Sequence, residues 1–84
     1  MCTVYVIKSE NHNFHYIGHT SNIRQRLHSH NTGKVRSTKY YRPFILIYSE
    51  EFLEKSSASR REIYLKSAKG NIWLRNMLSD NGHW

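Results

Sequence analysis

Short runs of β-branched and aromatic residues alternate along the chain with polar and amphipathic stretches, and this pattern predicts the elements in order. Thr3-Val4-Tyr5-Val6-Ile7 reads as a strand, with Tyr5 and Ile7 on one face and Val4 and Val6 on the other. Glu10-Asn11-His12-Asn13 is polar and turn-prone, and Phe14-His15-Tyr16-Ile17-Gly18 resumes as a second strand, which suggests an antiparallel hairpin. A turn centred near residues 10 and 11 makes Tyr5 and Tyr16 cross-strand neighbours on one face. Thr20-Ser21-Asn22 then supplies N-cap candidates, and Ile23, Leu27 and His30 recur at i, i+4 and i+7 as one stripe of a short helix. Arg26 lies beside that stripe, one turn before His30, and Gly33 is placed to end the helix as a left-handed cap.

Phe44-Ile45-Leu46-Ile47-Tyr48 is a near-continuous apolar run and is expected to be the central, most buried strand. Ser56-Ser57 opens a second helix with Ala58, Leu65, Ala68 and Ile72 roughly on one face and Glu62 at its margin. Gly70 is expected to interrupt or end that helix, and Asn71 to cap a last short one through Leu78, with Trp73, Leu74 and Met77 packing inward. The predicted fold is α+β in the order ββαβαα, a three-stranded antiparallel sheet flanked by helices. Helices belong on both sides, because a strand as apolar as 44–48 needs cover on each face.

The length of 84 residues suits one domain, spanning 1–84. No apolar run approaches the roughly 20 residues that cross a bilayer, and no secretory signal is expected. One cysteine, Cys2, cannot form an internal disulfide, so the cytoplasm is the expected compartment. Charge changes the picture more. The net formal charge is +7 with a pI near 9.9, and residues 1–42 hold seven Lys/Arg against Glu10 alone. Such a field attracts polyanions, DNA or RNA above all, although a merely solvated basic face has the same composition. A membrane-surface role is disfavoured, because the basic residues do not line one amphipathic helix.

The run Tyr16-Ile17-Gly18, followed by Asn22-x-x-x-Arg26-Leu27-x-x-His30-Asn31, resembles the GIY-YIG nuclease superfamily. It is most similar to that superfamily's minimal single-domain branch, related to the N-terminal nuclease domain of the UvrC repair protein. The first signature is reduced to Thr3-Val4-Tyr5, which keeps only its tyrosine. Arg42-Pro43-x-x-Leu46-x-Tyr48-x-Glu50-x-Phe52 and Ala58-x-x-Arg61-Glu62-x-x-x-Lys66 continue the match, which runs from about residue 3 to residue 78. The resemblance implies a metal-dependent endonuclease acting on DNA, with DNA repair as its setting. With only 84 residues there is little surface to grip a specific site, so structure rather than sequence is the expected target. It implies one divalent ion, Mg²⁺ or Mn²⁺, on Glu62, with Asn76 a weaker supporting candidate, and Arg26 on the scissile phosphate. Tyr5 or Tyr16 would position and deprotonate the water while the other orients the phosphate. His30 would relay a proton or orient a tyrosine, and Gly18 would allow a close approach of substrate or of the first tyrosine.

Other readings of these residues remain open. Ser59-Arg60-Arg61-Glu62 fits a capping box if a helix begins at Ser59, whereas a start at Ser56 puts Glu62 inside it. Arg26 could be an ordinary solvated helix arginine, and His30 a half-buried structural histidine. Six histidines invite a zinc site through His15 and His19 or His28 and His30, but the spacing is poor. Lys34, Arg36, Lys39 and Arg42 are candidates for backbone contacts and Tyr40 for base stacking, against the alternative that Tyr40 and Tyr41 cover the sheet edge. The competing functions are a non-catalytic nucleic-acid-binding module on the same fold, and a subunit whose protein partner supplies specificity through Trp73 and Trp84.

Overall fold

In the computed structural model, which describes residues 1–84, the order is β1 (Cys2–Ser9), β2 (His15–Thr20), α1 (Ile23–Asn31), a 3₁₀ turn at Lys39–Tyr41, β3 (Phe44–Phe52), α2 (Lys55–Lys66) and α3 (Ala68–Asp80). The three strands form one antiparallel sheet in the spatial order β2-β1-β3, so the α+β fold in the order ββαβαα stands as expected. No helix is long and apolar enough to cross a membrane.

The central strand is β1, not the apolar run 44–48, and this corrects the sequence expectation. Val4, Val6, Tyr5 and Ile7 are all essentially inaccessible, while Ile45 and Leu46 remain 46% and 40% exposed on an edge strand. Val4 and Val6 meet Ala58 and Leu65 of α2 and Leu74 and Leu78 of α3 on one face. Tyr5 and Ile7 meet Phe44 on the other, with Ile23 and Leu27 of α1 and Tyr16 packed against them. Both faces of the sheet are therefore covered, and it is β1, apolar on both of its faces, that is buried on both.

A bulge lets β3 serve the two faces. Val6 pairs with Tyr48 but Ile7 with Leu46, leaving Ile47 as the extra residue. Phe44 and Tyr48 are four positions apart and would share a face in a regular strand. The extra residue reverses the alternation, so Phe44 packs beside Tyr5 while Tyr48 packs against the α2–α3 side.

Ser67, not Gly70, ends α2. Its extended backbone (φ −72°, ψ 162°) breaks the helical phase, and its side chain accepts from the Gly70 amide at 3.2 Å to cap α3. Counting one stripe through residues 68 and 72 therefore fails: Ala68 and Ile72 are exposed, and the buried positions are Leu74 and Leu78. Asn71 lies inside α3 rather than capping it. Gly70 has a different duty at the α2–α3 junction, because a Cβ there would lie 2.0 Å from the Tyr64 carbonyl oxygen.

Candidate active site

The site begins with the hairpin register. Tyr5 pairs with Gly18 and Ile7 with Tyr16, so the turn is centred one residue later than expected and the two tyrosines are diagonal cross-strand neighbours. Their rings still meet on one face, with centroids 6.3 Å apart. Gly18 is what lets the Tyr5 ring lie across β2: a Cβ on Gly18 would sit 2.6 Å from the Tyr5 hydroxyl and 2.8 Å from its ring carbon. No side chain fits there unless the ring moves.

α1 supplies the next groups. The Asn22 side chain accepts from the Gln25 amide at 3.1 Å and fixes the start of the helix. Gly33 follows the C-cap with φ 79°, which favours glycine. Between these ends, Arg26 Nε donates to the Tyr5 hydroxyl at 3.2 Å, and that hydroxyl lies 2.9 Å from His30 Nε2. A guanidinium can only donate, so the phenol accepts from Arg26 and its single proton points to His30 Nε2. His30 then carries its proton on Nδ1, 2.8 Å from Thr38 Oγ1, and Thr38 in turn donates to the Val35 carbonyl at 3.4 Å. Tyr5, His30 and Thr38 are 1%, 0% and 0% exposed, so this chain of donors and acceptors runs through the interior.

Burial and the neighbouring charge set the protonation states. Burial raises the Tyr5 phenol above its ordinary value, and the hydrogen bond and charge of Arg26 only partly offset it. Burial, with Arg26 adding to it, drives His30 down to about 4. Both groups are therefore neutral near pH 7. Arg26 is held charged more firmly than usual, first through its hydrogen bond to Tyr5, with Tyr16 adding to the effect. An arginine beside a phenol favours its ionised form, but for Tyr5 burial outweighs it. Tyr16, in contrast, is only half-buried.

Glu62 lies well inside α2, which begins at Lys55 after Glu54, and Ser59 caps nothing. The capping-box alternative is thereby excluded. The Glu62 carboxylate reaches the outer strand, where Oε1 meets His19 Nδ1 at 2.5 Å and Oε2 meets Lys66 Nζ at 2.6 Å. Burial opposes its charge, but Lys66 and His19 outweigh it and hold the carboxyl below its usual range. The Lys66 ammonium also lies 5.9 Å from the Tyr16 ring centroid, which links the carboxylate to the tyrosine face around the β2 edge.

The remaining expected residues divide. Lys39, Tyr40 and Arg42 gather with Thr32 and Gly33 around an open depression of about 610 Å³. Arg42 Nη1 donates to the Lys39 carbonyl at 2.6 Å, and Tyr40 is 77% exposed. Tyr41 instead stacks on Phe14 with centroids 4.0 Å apart, so it covers the sheet while its neighbour does not. Lys34 and Arg36 are exposed on the connection leading there. Asn76 is exposed on α3 and makes no hydrogen bond to the Glu62 group. Trp73, expected to pack inward, is instead 42% exposed with the Arg61 guanidinium over its ring, while Trp84 stacks on His15 with centroids 3.6 Å apart. No group of three or more His, Cys, Asp or Glu is arranged to hold a metal. Sequence reasoning missed three participants. Lys66 was signalled by its i+4 spacing from Glu62 on one helix; His19 and Thr38 had no local signal.

Comparison with known proteins shows the family to which the sequence is similar. The profile of the GIY-YIG catalytic domain matches residues 1–76. A UPF0213 protein of Staphylococcus haemolyticus is 42% identical over 65 residues, covering 76% of this chain and 78% of the relative. The UPF0213 protein YazA of Bacillus subtilis is 38% identical over 63 residues, covering 74% of this chain and 63% of YazA. The solution structure of a UPF0213 protein from Bacillus halodurans superimposes with a TM-score of 0.54 at 27% identity, covering 92% of this chain and 85% of that one.

Proposed function

The chain belongs to the GIY-YIG catalytic-domain family, and on that premise we propose that it is a metal-dependent endonuclease that hydrolyses phosphodiester bonds in DNA, selecting its substrate by structure rather than by sequence. The observation that carries this reading is the position of Arg26. Its guanidinium is anchored by the buried Tyr5 hydroxyl and lies beside the half-buried Tyr16, with the ionised Glu62 across the strand edge. A guanidinium held in place matches phosphate oxygens with a planar fork and neutralises charge that develops on them.

The tyrosines take different parts. Tyr5 is too buried to meet an attacking water, so its hydroxyl orients Arg26 and hands its proton toward His30. Tyr16 reaches solvent and is the phenol placed to hold the water against the phosphate. Gly18 is the empty space that lets both rings lie on one face. Glu62 fits the demands of magnesium, which accepts one carboxylate and keeps several waters. Bound there, a Mg²⁺ or Mn²⁺ ion would neutralise phosphoryl charge and ease departure of the 3′ oxygen. Lys34, Arg36, Lys39, Tyr40 and Arg42 are proposed to hold the flanking strand. The proposed setting is the cytoplasm.

The test is cleavage of branched, single-stranded and duplex DNA, and of RNA, with Mg²⁺ or Mn²⁺, by the wild type beside Glu62→Ala and Arg26→Ala. Cleavage by wild type that both variants lack supports the enzyme. Binding without cleavage of any substrate would favour the non-catalytic module, and cleavage that survives both substitutions would place the chemistry elsewhere.

A further inference from the structure

Both oxygens of the Glu62 carboxylate are already engaged, which poses a problem for any ion that is to bind there. The two partners are unlike. His19 stands on β2 opposite Val4, one residue beyond Gly18, and its position is fixed by strand pairing. Lys66 comes from the same helix as Glu62 at i+4, its side chain is 50% exposed, and a flexible tether carries its ammonium. Half-exposed pairs of this kind are weak and readily exchanged. The same ammonium lies toward the Tyr16 ring, at 5.9 Å from its centroid, so a cation already stands between the carboxylate and the tyrosine face.

Resting on the metal-dependent reading above, we propose that Lys66 is a displaceable occupant of the divalent-cation position on Glu62, and that His19 is the positioning residue that keeps the carboxylate aimed when Lys66 leaves. A carboxylate that is 17% exposed is poorly solvated by water alone, and Lys66 keeps Oε2 satisfied in the absence of an ion. A divalent ion held by Glu62 would carry twice the charge of the ammonium and compete with it for the carboxylate. Lys66 then swings outward on its tether and is available to a substrate phosphate. His19 binds the other oxygen, has no tether to swing on, and stays.

The experiment is calorimetric titration of Mn²⁺ into the full chain without nucleic acid. Lys66→Met no longer has an ammonium to displace and is expected to bind Mn²⁺ about three- to tenfold more tightly than wild type. His19→Ala is expected to bind it more weakly by a similar factor, and His19→Asn, whose side-chain amide can replace the Nδ1 donor, to recover most of the loss. An unchanged or weaker affinity in Lys66→Met overturns the displacement, and a His19→Asn affinity no better than that of His19→Ala overturns the positioning role. Glu62→Gln separates the two levels. If it binds Mn²⁺ as wild type does, the metal reading of Glu62 fails whatever Lys66 does.

Discussion

The Tyr5 hydroxyl lies 2.9 Å from Nε2 of His30, and because Arg26 Nε donates to the same oxygen, the phenol proton faces the histidine. One buried hydroxyl thus satisfies two groups of α1 at once. Tyr16, on the same face, carries no comparable internal load. Tyr5→Phe leaves an arginine donor and a buried imidazole nitrogen unpaired and is expected to lose about 1–3 kcal/mol of stability together with cleavage. Tyr16→Phe is expected to change stability by about 0.5 kcal/mol or less and still lose cleavage by at least about a hundredfold. Urea denaturation and single-turnover cleavage of both variants check the pair; equal destabilisation would refute the division of labour.

The two packed glycines give a second contrast. Gly18→Ala drives a Cβ against the hydroxyl and ring carbon of Tyr5 at 2.6 and 2.8 Å. The ring can tilt, so the expected loss is about 1–3 kcal/mol, with cleavage falling further than the unfolded fraction explains. Gly70→Ala meets backbone, the Tyr64 carbonyl at 2.0 Å, and forces the α2–α3 junction apart. Its expected loss is larger, about 3 kcal/mol or more, and whatever fraction remains folded should cut normally. Thermal melts with cleavage normalised to folded protein distinguish them.

Most of the fold and part of the site were legible because their signals are local. The Asn22 cap, the Ile23–Leu27–His30 stripe and the left-handed Gly33 all belong to one helix and its two ends, and Arg26 follows from them. What failed depended on pairing between distant segments. β1 ends at Ser9, and the turn is centred between Asn11 and His12, which moves the partner of Tyr5 by two residues to Gly18. The apolar run at 44–48 gave no sign that β3 would lie at an edge, since strand order is set by which neighbours pair and not by hydrophobicity. The His19–Glu62 contact joins residues 43 apart in the chain, and no spacing rule announces it.

Acid should destabilise the protein first through His30. Its pKa falls from 6.5 in a model peptide to about 4 in the fold. Between those values the unfolded chain binds more protons than the native one, so stability is full above about pH 6.5 and is lost as pH falls toward 4. The total is about 3 kcal/mol, an order-of-magnitude figure. His15, also lowered by burial, acts in the same direction. Glu50 and Glu62, held below the usual carboxyl range, add their losses only below about pH 4.5. His30→Gln is therefore expected to be less stable at pH 7 and to show a flatter dependence from pH 6.5 to 4.5. Urea midpoints at pH 7, 5.5 and 4.5 measure it; parallel curves for wild type and variant would assign the acid sensitivity elsewhere.

The depression beside α1 should act in binding and not in chemistry. Lys39 and Arg42 flank Tyr40, whose ring is the most exposed tyrosine surface of the chain, and Arg42 is held by the Lys39 carbonyl at 2.6 Å. A ring so placed can stack on an unpaired base while the cations meet phosphates. Tyr40→Ala is expected to weaken single-stranded DNA by about 1–3 kcal/mol and duplex DNA much less. Arg42→Met should weaken both and reduce the slope of log affinity against log salt by about 1. Anisotropy titrations across a salt series, run in a Glu62→Gln background to prevent cutting, test both variants. Saturating single-turnover cleavage by Tyr40→Ala and Arg42→Met in the otherwise native chain should stay near the wild-type rate. A rate loss there would move these residues from the flanking strand to the reacting phosphate, and an unchanged salt slope would take Arg42 out of the interface.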